Sequence, residues 1–584
     1  MKKEASFSGK PWTSAPKWEK LELIQKELLA SRELQTEEQQ NSFLHPKLAD
    51  LHDPWLIKGM DRAVERTLRA IEKKERIVVF GDFDADGITS TVILVQALRD
   101  CGAEVSYRIP ERKTESHGLK HSHVEELSEK KVKLIITCDC AVNDTQEIAF
   151  AVQQGIDVIV TDHHEGNENA FPQEAVAVLN PKVGDCAYPE KNLSGAGVAF
   201  KFIMALGEKF FSDEKELVQF LEKFFEICAI GLIADCVPLI GENRILAKFG
   251  LEKMHQTQWP GLAKLLEHCG VDPQNIDEQT IGFAIAPRLN AASRIGDVLT
   301  ATQLFLGEKD LHPSRITKLD RLNNERKKLT QSAFRQSSFQ VRKGAAMQFF
   351  YQPDWNPGIL GLLAGRQVEA LNVPVVASCI REDGLLAASC RAPEGCSMVG
   401  ALQEHSDLFR QFGGHDGAAG FTALPEKKEP IHRTLEKHFS RQKRAEGALR
   451  VNGFLDCGLI DFELVDFLKD LSPFGNGNLE PVFGVRSVVV TDYRSMGRDG
   501  NHLRLQVSCE NRDLELVAFF VEGWIASIQV GQKLDILFTV GENFWRGQRR
   551  LQLRVVDMRS IYEGEITNYE GEILSLCHFL LFGI

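Results

Sequence analysis

Carboxylates and histidines follow four apolar runs of this chain. Asp82, Asp84 and Asp86 come after the run 77–80, and Asp139 after 134–137. The triplet Asp162-His163-His164 comes after 158–161, and Asp235 after 227–234. A single aspartate in such a place is most often a turn or helix-capping residue. Four places aimed at one edge are a different matter, because uncompensated carboxylates repel one another and divalent cations relieve the repulsion. Oxygen-rich ligation with one or two imidazoles suits Mn2+ or Mg2+ better than Zn2+. Two such cations sharing a carboxylate activate water and steady both the attacking and the leaving oxygen at phosphorus. The chemistry these residues point to is phosphoester hydrolysis without a covalent intermediate.

The elements that must position them alternate. Strands are predicted over 77–80, 134–137 and 158–161, with helices over 89–98, 145–153, 198–206 and 224–233. Short buried strands separated by helices imply a parallel sheet covered on both faces, and ligands bind at the carboxyl edge of such a sheet. Residues 313–343, rich in Lys, Arg, Gln and Ser with regular Leu and Ile, read as a long connector helix. A second α/β region follows, with strands over 349–351 and 373–379 and helices over 359–370 and 432–441. Beyond a charged linker at 442–450, short strands over 488–491, 503–508, 514–520, 533–540 and 550–556 suit a small barrel such as an OB-fold. The fold class is therefore α/β, two α/β domains joined by a long helix, with a C-terminal OB-like barrel. The expected boundaries are an N-terminal extension at 1–60, a catalytic domain at 61–307, the connector at 308–345, the second α/β domain at 346–445, the barrel at 446–560 and an apolar tail at 561–584.

These residues also resemble a known family. GDFDADGITST, ITCDC, VTDHH and IGLIADCVPL are similar to the first four motifs of the DHH phosphoesterases. FAIAPRLNAASRIGDV, WNPGILGLLAGR, AASCRA, FGGHDGAAGF and SPFGNGNLEPVF resemble later motifs of the RecJ branch, in family order. The resemblance implies a single-strand-specific 5′→3′ exonuclease of DNA, of the DHH/DHHA1 type, acting in DNA repair and recombination. It implies metal ligation by Asp84, Asp86, Asp139, His163 and Asp235, with Asp139 bridging, and His164 at the scissile phosphate. It places Arg288, Ser389 and Arg391 at the 5′ phosphate end, and Arg112 and His415 at further substrate-binding positions. Arg forks suit phosphate oxygens. On residue type alone, Arg288 reads equally as a structural ion pair and His415 as a core histidine.

Some positions depart from the pattern. Phe80 stands where many relatives carry a metal-binding histidine, and Asp82 is the nearby residue able to compensate. Ala141, Ala292 and Ala388 replace glycines, and Asn356 replaces a histidine. In the barrel, Phe519, Phe544 and Trp545 are candidates for base stacking and Arg546, Arg549 and Arg550 for phosphates. Phe519 is expected in the barrel core and Arg549 in the groove.

Bulk properties set limits. The 584 residues are too many for a single core, and 43% hydrophobic with 26% charged residues is ordinary for a globular protein. A net charge of −13 weighs against nucleic-acid binding, but a local basic groove can sit on an acidic protein. The thirteen cysteines form no paired framework and read as reduced thiols of a cytoplasmic protein. No apolar h-region follows Lys2 and Lys3, and no stretch reaches the ~20 apolar residues of a membrane span. A monomer is expected, with single-stranded DNA as substrate and a helicase and a single-strand-binding protein as partners. Two rival readings are a DHH pyrophosphatase or short-oligonucleotide phosphatase, and a non-catalytic DHH subunit. The barrel pattern argues against the first, and the retained carboxylates and histidines against the second.

Overall fold

The computed structural model describes residues 6–561, apart from 113–114, 116, 168–170, 308–311, 443–447, 498–499, 511, 520, 522 and 546–547. Trp545 is described in its backbone alone, and Arg546 and the apolar tail lie outside the described residues.

The chain folds as two compact units. The larger spans Arg32–Ala445 and Lys469–Glu480. Its first sheet runs Val105–Arg108, Ile77–Gly81, Leu134–Cys138, Asp157–Thr161 and Ala177–Leu179, every neighbouring pair parallel. The central strands are apolar at nearly every position because both faces are covered. Val79, Ile136 and Ile159 point to the cluster shared with Ala85–Asp100, Gly195–Phe210 and Phe225–Ala234. Val78, Ile135 and Val158 point the other way, to His121–Glu129 and Thr145–Gln153. The outer strands Val105–Arg108 and Ala177–Leu179 escape sequence reading, one being a half-polar edge and the other three residues long.

The helix His312–Ser338 leads to the second sheet, ordered Gln411–Gly414, Ala418–Ala423, Leu386–Arg391, Val375–Ile380 and Gln348–Tyr351. Its last pair is parallel and the others antiparallel. Leu360–Leu371 covers one face, while Met398–Glu404 and Lys428–Ser440 cover the other.

The smaller unit comprises the described parts of Met1–Ser31, Glu446–Leu468 and Pro481–Ile584. Five strands, Phe483–Met496, His502–Cys509, Arg512–Ala518, Gln548–Ser560 and Lys533–Trp545, close into a barrel through pairing of the first with the last. Closure removes exposed sheet edges. The expected helical extension at the N-terminus is divided. Lys17–Trp18 pairs with Gly453–Leu455 in parallel, and Ser8 and Trp12 donate hydrogen bonds to the Asp557 carboxylate. Cys457 and Cys509 form a disulfide, Cα atoms 6.2 Å apart, correcting the expectation of no pairing. Most of the other described cysteines are buried.

Arg244, 2% exposed, ties three segments of the larger unit together by donating to the carbonyls of Phe43, Asp470 and Leu471. Burial, reinforced by Arg32, lowers its pKa to about 9. Arg244→Ala strands three carbonyls and is expected to cost about 3 kcal/mol. Thermal unfolding should show an earlier transition; an unchanged profile would mean that water replaces the side chain.

Candidate active site

Ile77–Gly81 connects to Val105–Arg108 on one side, while Leu134–Cys138 lies on its other side and continues the sheet in the opposite direction. A crevice opens where strand order reverses like this. Asp82 and Asp139 follow the two strands that border it. Asp84 caps Ala85–Asp100, accepting from the Asp86 and Gly87 amides. Asp86 sits in that helix's first turn and accepts from the Gly195 and Ala196 amides at 2.6 and 3.0 Å. Those amides open the helix Gly195–Phe210, so the carboxylate meets the positive end of a second helix. Gly195 is required here, because a Cβ would lie 2.6 Å from that of Asp139.

Asp139 has φ +61°, a left-handed conformation uncommon for a residue with a side chain, as is Ala141 at +81°. The substitution at Ala141 therefore falls in a tight turn, whereas Ala292 lies inside the helix Ala286–Ile295 and alters no turn. Asp235 does not follow a strand: the apolar run before it is the helix Phe225–Ala234, and Asp235 is its C-cap.

The tertiary fold brings these groups together. His163 Nε2 lies 3.1 Å from Asp139 Oδ1 and 3.8 Å from both Asp86 Oδ2 and Asp235 Oδ2. Donor atoms of Asp86, His163 and Asp235 fall within 4.8 Å of one another, as do those of Asp139, His163 and His164, and of Asp82, Asp84 and Asp139. The groups overlap at His163 and Asp139. Asp82 Oδ1 and Asp139 Oδ1 are buried and accept no hydrogen bond, although imidazole nitrogens approach them at 3.0 and 3.1 Å. Neighbours close in but not aligned as donors is the arrangement of ligands around a cation. The donor set of carboxylates and imidazole fits divalent ions.

Burial raises Asp139 well above the ordinary carboxylate range, and Asp86, Asp84, Asp82 and Asp235 add to it. Burial, with Asp86 and Asp84, raises Asp235 to about 8. The pocket concentrates more negative charge than it can hold uncompensated. Burial and the neighbouring His164 lower His163 to about 4, leaving a neutral imidazole. His164 is raised to about 9: burial opposes its charge, but the bond from Nδ1 to Asp162 at 2.8 Å outweighs it. Asp162 also accepts the Val142, His163 and His164 amides, so it orients the loop.

Phe80 is fully buried, its ring 5.1 Å from that of His123, and offers nothing to the site. His117, which sequence reading passed over, puts Nδ1 3.0 Å from Asp82 Oδ1. No motif marks it, since it sits in a loop remote from any predicted strand.

The expected phosphate-end residues separate. Ser389 and Arg391 lie on the strand Leu386–Arg391, and Arg391 Nη1 is 3.3 Å from Ser389 Oγ. Both face the start of Leu360–Leu371, where a Cβ on Gly361 would approach them at 3.1–3.2 Å. Arg112 stacks over Phe83 at 4.9 Å. Arg288 is occupied by Asp320 at 2.8 Å and by the Ala284 carbonyl. His415 is exposed in the loop between Gln411–Gly414 and Ala418–Ala423, so it is no core histidine. Arg294, six positions after Arg288 on the same helix, is an arginine that sequence reading did not single out. Six residues turn a helix by about 240°, which puts the two on different faces. Burial and Arg112 push Arg294 down to about 9, with Arg326 and Arg391 adding to the effect and Asp84 opposing it. Arg294 also donates to the Gly358 carbonyl at 3.1 Å, linking the two α/β halves.

Three family models match in order: the DHH family N-terminal domain over 76–232, the DHHA1 domain over 343–441 and the RecJ OB domain over 451–557. The single-stranded-DNA-specific exonuclease RecJ of Bacillus subtilis is 32% identical over 553 residues, 93% of this chain and 69% of the relative. The chain belongs to the RecJ family. The RecJ of Thermus thermophilus, solved in complex with Mn2+, matches with a TM-score of 0.77 at 28% identity, covering 96% of this chain and 80% of the other. The same protein in complex with Mg2+ matches with a TM-score of 0.73 at 28% identity, covering 92% and 75%. The parallel-sheet domain, the mixed-sheet domain and the closed barrel of this RecJ family member are the architecture expected from its sequence.

Proposed function

We propose that this protein is a Mn2+- or Mg2+-dependent exonuclease that hydrolyses single-stranded DNA from its 5′ end, in repair and recombination. The observation that carries the reading is the convergence of Asp86, Asp139, His163 and Asp235, from four separate segments, on one pocket. Asp82, Asp84, Asp86, Asp139, His163 and Asp235 would hold two cations. When bound, the cations supply Lewis-acid polarisation and charge neutralisation at the phosphodiester.

The chain's own residues do the rest. His163, neutral at physiological pH, offers a lone pair rather than a proton. His164, charged and held through Nδ1 by Asp162, presents its other N–H to an oxygen of the scissile phosphate. Arg391, Ser389 and Arg294 bind the terminal 5′ phosphate and set the length of the cut, while Arg112 and His415 line its approach. The barrel binds the strand farther along. Phe519, expected in its core, is 47% exposed with His502 edge-on at 5.4 Å, a surface suited to stacking. Arg549, expected free in the groove, is paired with Asp466 and Glu542. Phe519→Ala should weaken binding of single-stranded DNA about tenfold, within the 1–3 kcal/mol of a stacked base. Equal affinity by fluorescence anisotropy would remove Phe519 from the DNA path.

The protein acts as a cytoplasmic monomer, with a helicase to open duplex and a single-strand-binding protein to present the strand. No described helix is long and apolar enough to cross a membrane. The deciding experiment is a time course on 5′- and 3′-labelled single strands with and without Mn2+. Release of label from the 5′ end as mononucleotide, only with metal, is expected. Release from the 3′ end, or cleavage of pyrophosphate alone, would overturn the reading.

A further inference from the structure

A second group of metal-ligating side chains lies in the other α/β half. Glu404 ends the helix Met398–Glu404, His405 follows it, and His438 stands in the last turn of Lys428–Ser440. One donor atom from each falls within 4.8 Å of the others. Glu404 Oε2 lies 2.9 Å from His438 Nδ1. The two imidazole rings meet edge to face, centroids 6.0 Å apart, rather than stacking. Gln442 reaches His438 Nε2 with its amide nitrogen at 3.1 Å, and its amide oxygen is buried with no hydrogen-bond partner. Two helix C-termini converge at this point, and their carbonyl ends favour a cation.

The donor chemistry differs from that of the catalytic pocket. There, carboxylates dominate. Here, two imidazoles stand with one carboxylate, a set that suits Zn2+. The place in the fold suggests its use. The helix that Glu404 ends begins at Ser397, whose hydroxyl bonds the Asp416 carboxylate, and the Met398 amide donates to the Asp416 carbonyl at 2.8 Å. Asp416 follows His415. A cation fixing the C-terminal end of this short helix would fix the loop held by its other end.

We infer that Glu404, His405 and His438 form a structural Zn2+ site that clamps Met398–Glu404 to Lys428–Ser440. The full-length protein is loaded with Zn2+, dialysed and its zinc counted per chain. Co2+ then serves as a visible-absorption probe. The chain and its Asp139→Asn variant are both expected to retain this zinc and to show an intense tetrahedral Co2+ band. His405→Ala/His438→Ala should lose one equivalent of zinc and the band. Glu404→Gln, a change at an exposed position, should weaken zinc about tenfold or more, so the test stands even if the double variant folds poorly. Unchanged zinc count and affinity in these variants, or a Co2+ band that disappears with Asp139→Asn alone, would overturn the assignment.

Discussion

Asp139→Asn is expected to leave a folded protein that has lost cleavage by at least about a thousandfold, the scale on which electrostatic and metal contributions act. Asp139 is the residue at which two of the close donor groups meet, and its Oδ1 is buried without a hydrogen bond. An amide keeps the shape but not the charge. The metal-free variant should also be more stable than the parent, by on the order of 1 kcal/mol, since one of several mutually repelling buried carboxylates is gone. Mn2+ should raise the melting temperature of the parent, as a ligand of the native state does, and raise that of the variant far less. Measured together, activity and melting with and without Mn2+ separate loss of a ligand from loss of fold. Near-parental turnover in Asp139→Asn would end the two-cation reading.

Arg294→Gln should reduce the preference for a 5′-phosphorylated end by about 10- to 100-fold, the range of a charge-assisted hydrogen bond lost from a desolvated site. The effect should fall mainly on KM. Arg294 shares its surroundings with Arg112, Arg326 and Arg391, a concentration of positive charge with Asp84 opposing it. An anion relieves like charges that act on one another in this way. Arg288→Gln is the control. It breaks the pair with Asp320 and should cost about 1 kcal/mol of stability while leaving end preference intact. Competition between 5′-phosphate and 5′-hydroxyl oligonucleotides measures both. Loss of preference in Arg288→Gln but not in Arg294→Gln would reverse the assignment.

The net charge does not by itself exclude such binding. A chain at −13 can bind a polyanion where cations are gathered locally, and some of its carboxylates belong to the proposed metal site.

Much of the fold was legible in the residues. The central strands and long helices were readable because burial on two faces leaves unbroken apolar runs, as in 134–137, and amphipathic stripes mark the helices. What stayed hidden was short, at an edge, or dependent on a distant partner. Val105–Arg108 and Ala177–Leu179 have too few residues to show a period. The strand Lys17–Trp18 exists only because Gly453–Leu455 offers it hydrogen bonds from more than four hundred positions away.

The site divides in the same way. Residue type and spacing by themselves marked the carboxylates and histidines that could hold a cation, because liganding needs particular donor atoms and these stand in recognisable motifs. Only the tertiary structure decided what each side chain meets. It turned Arg288 toward Asp320 and Arg294 toward the Gly358 carbonyl, set Asp235 at a helix C-cap, and brought the unmarked His117 to Asp82. Backbone pattern repeats locally and can be read along the chain, whereas the field at a side chain is the sum of whatever packing places around it.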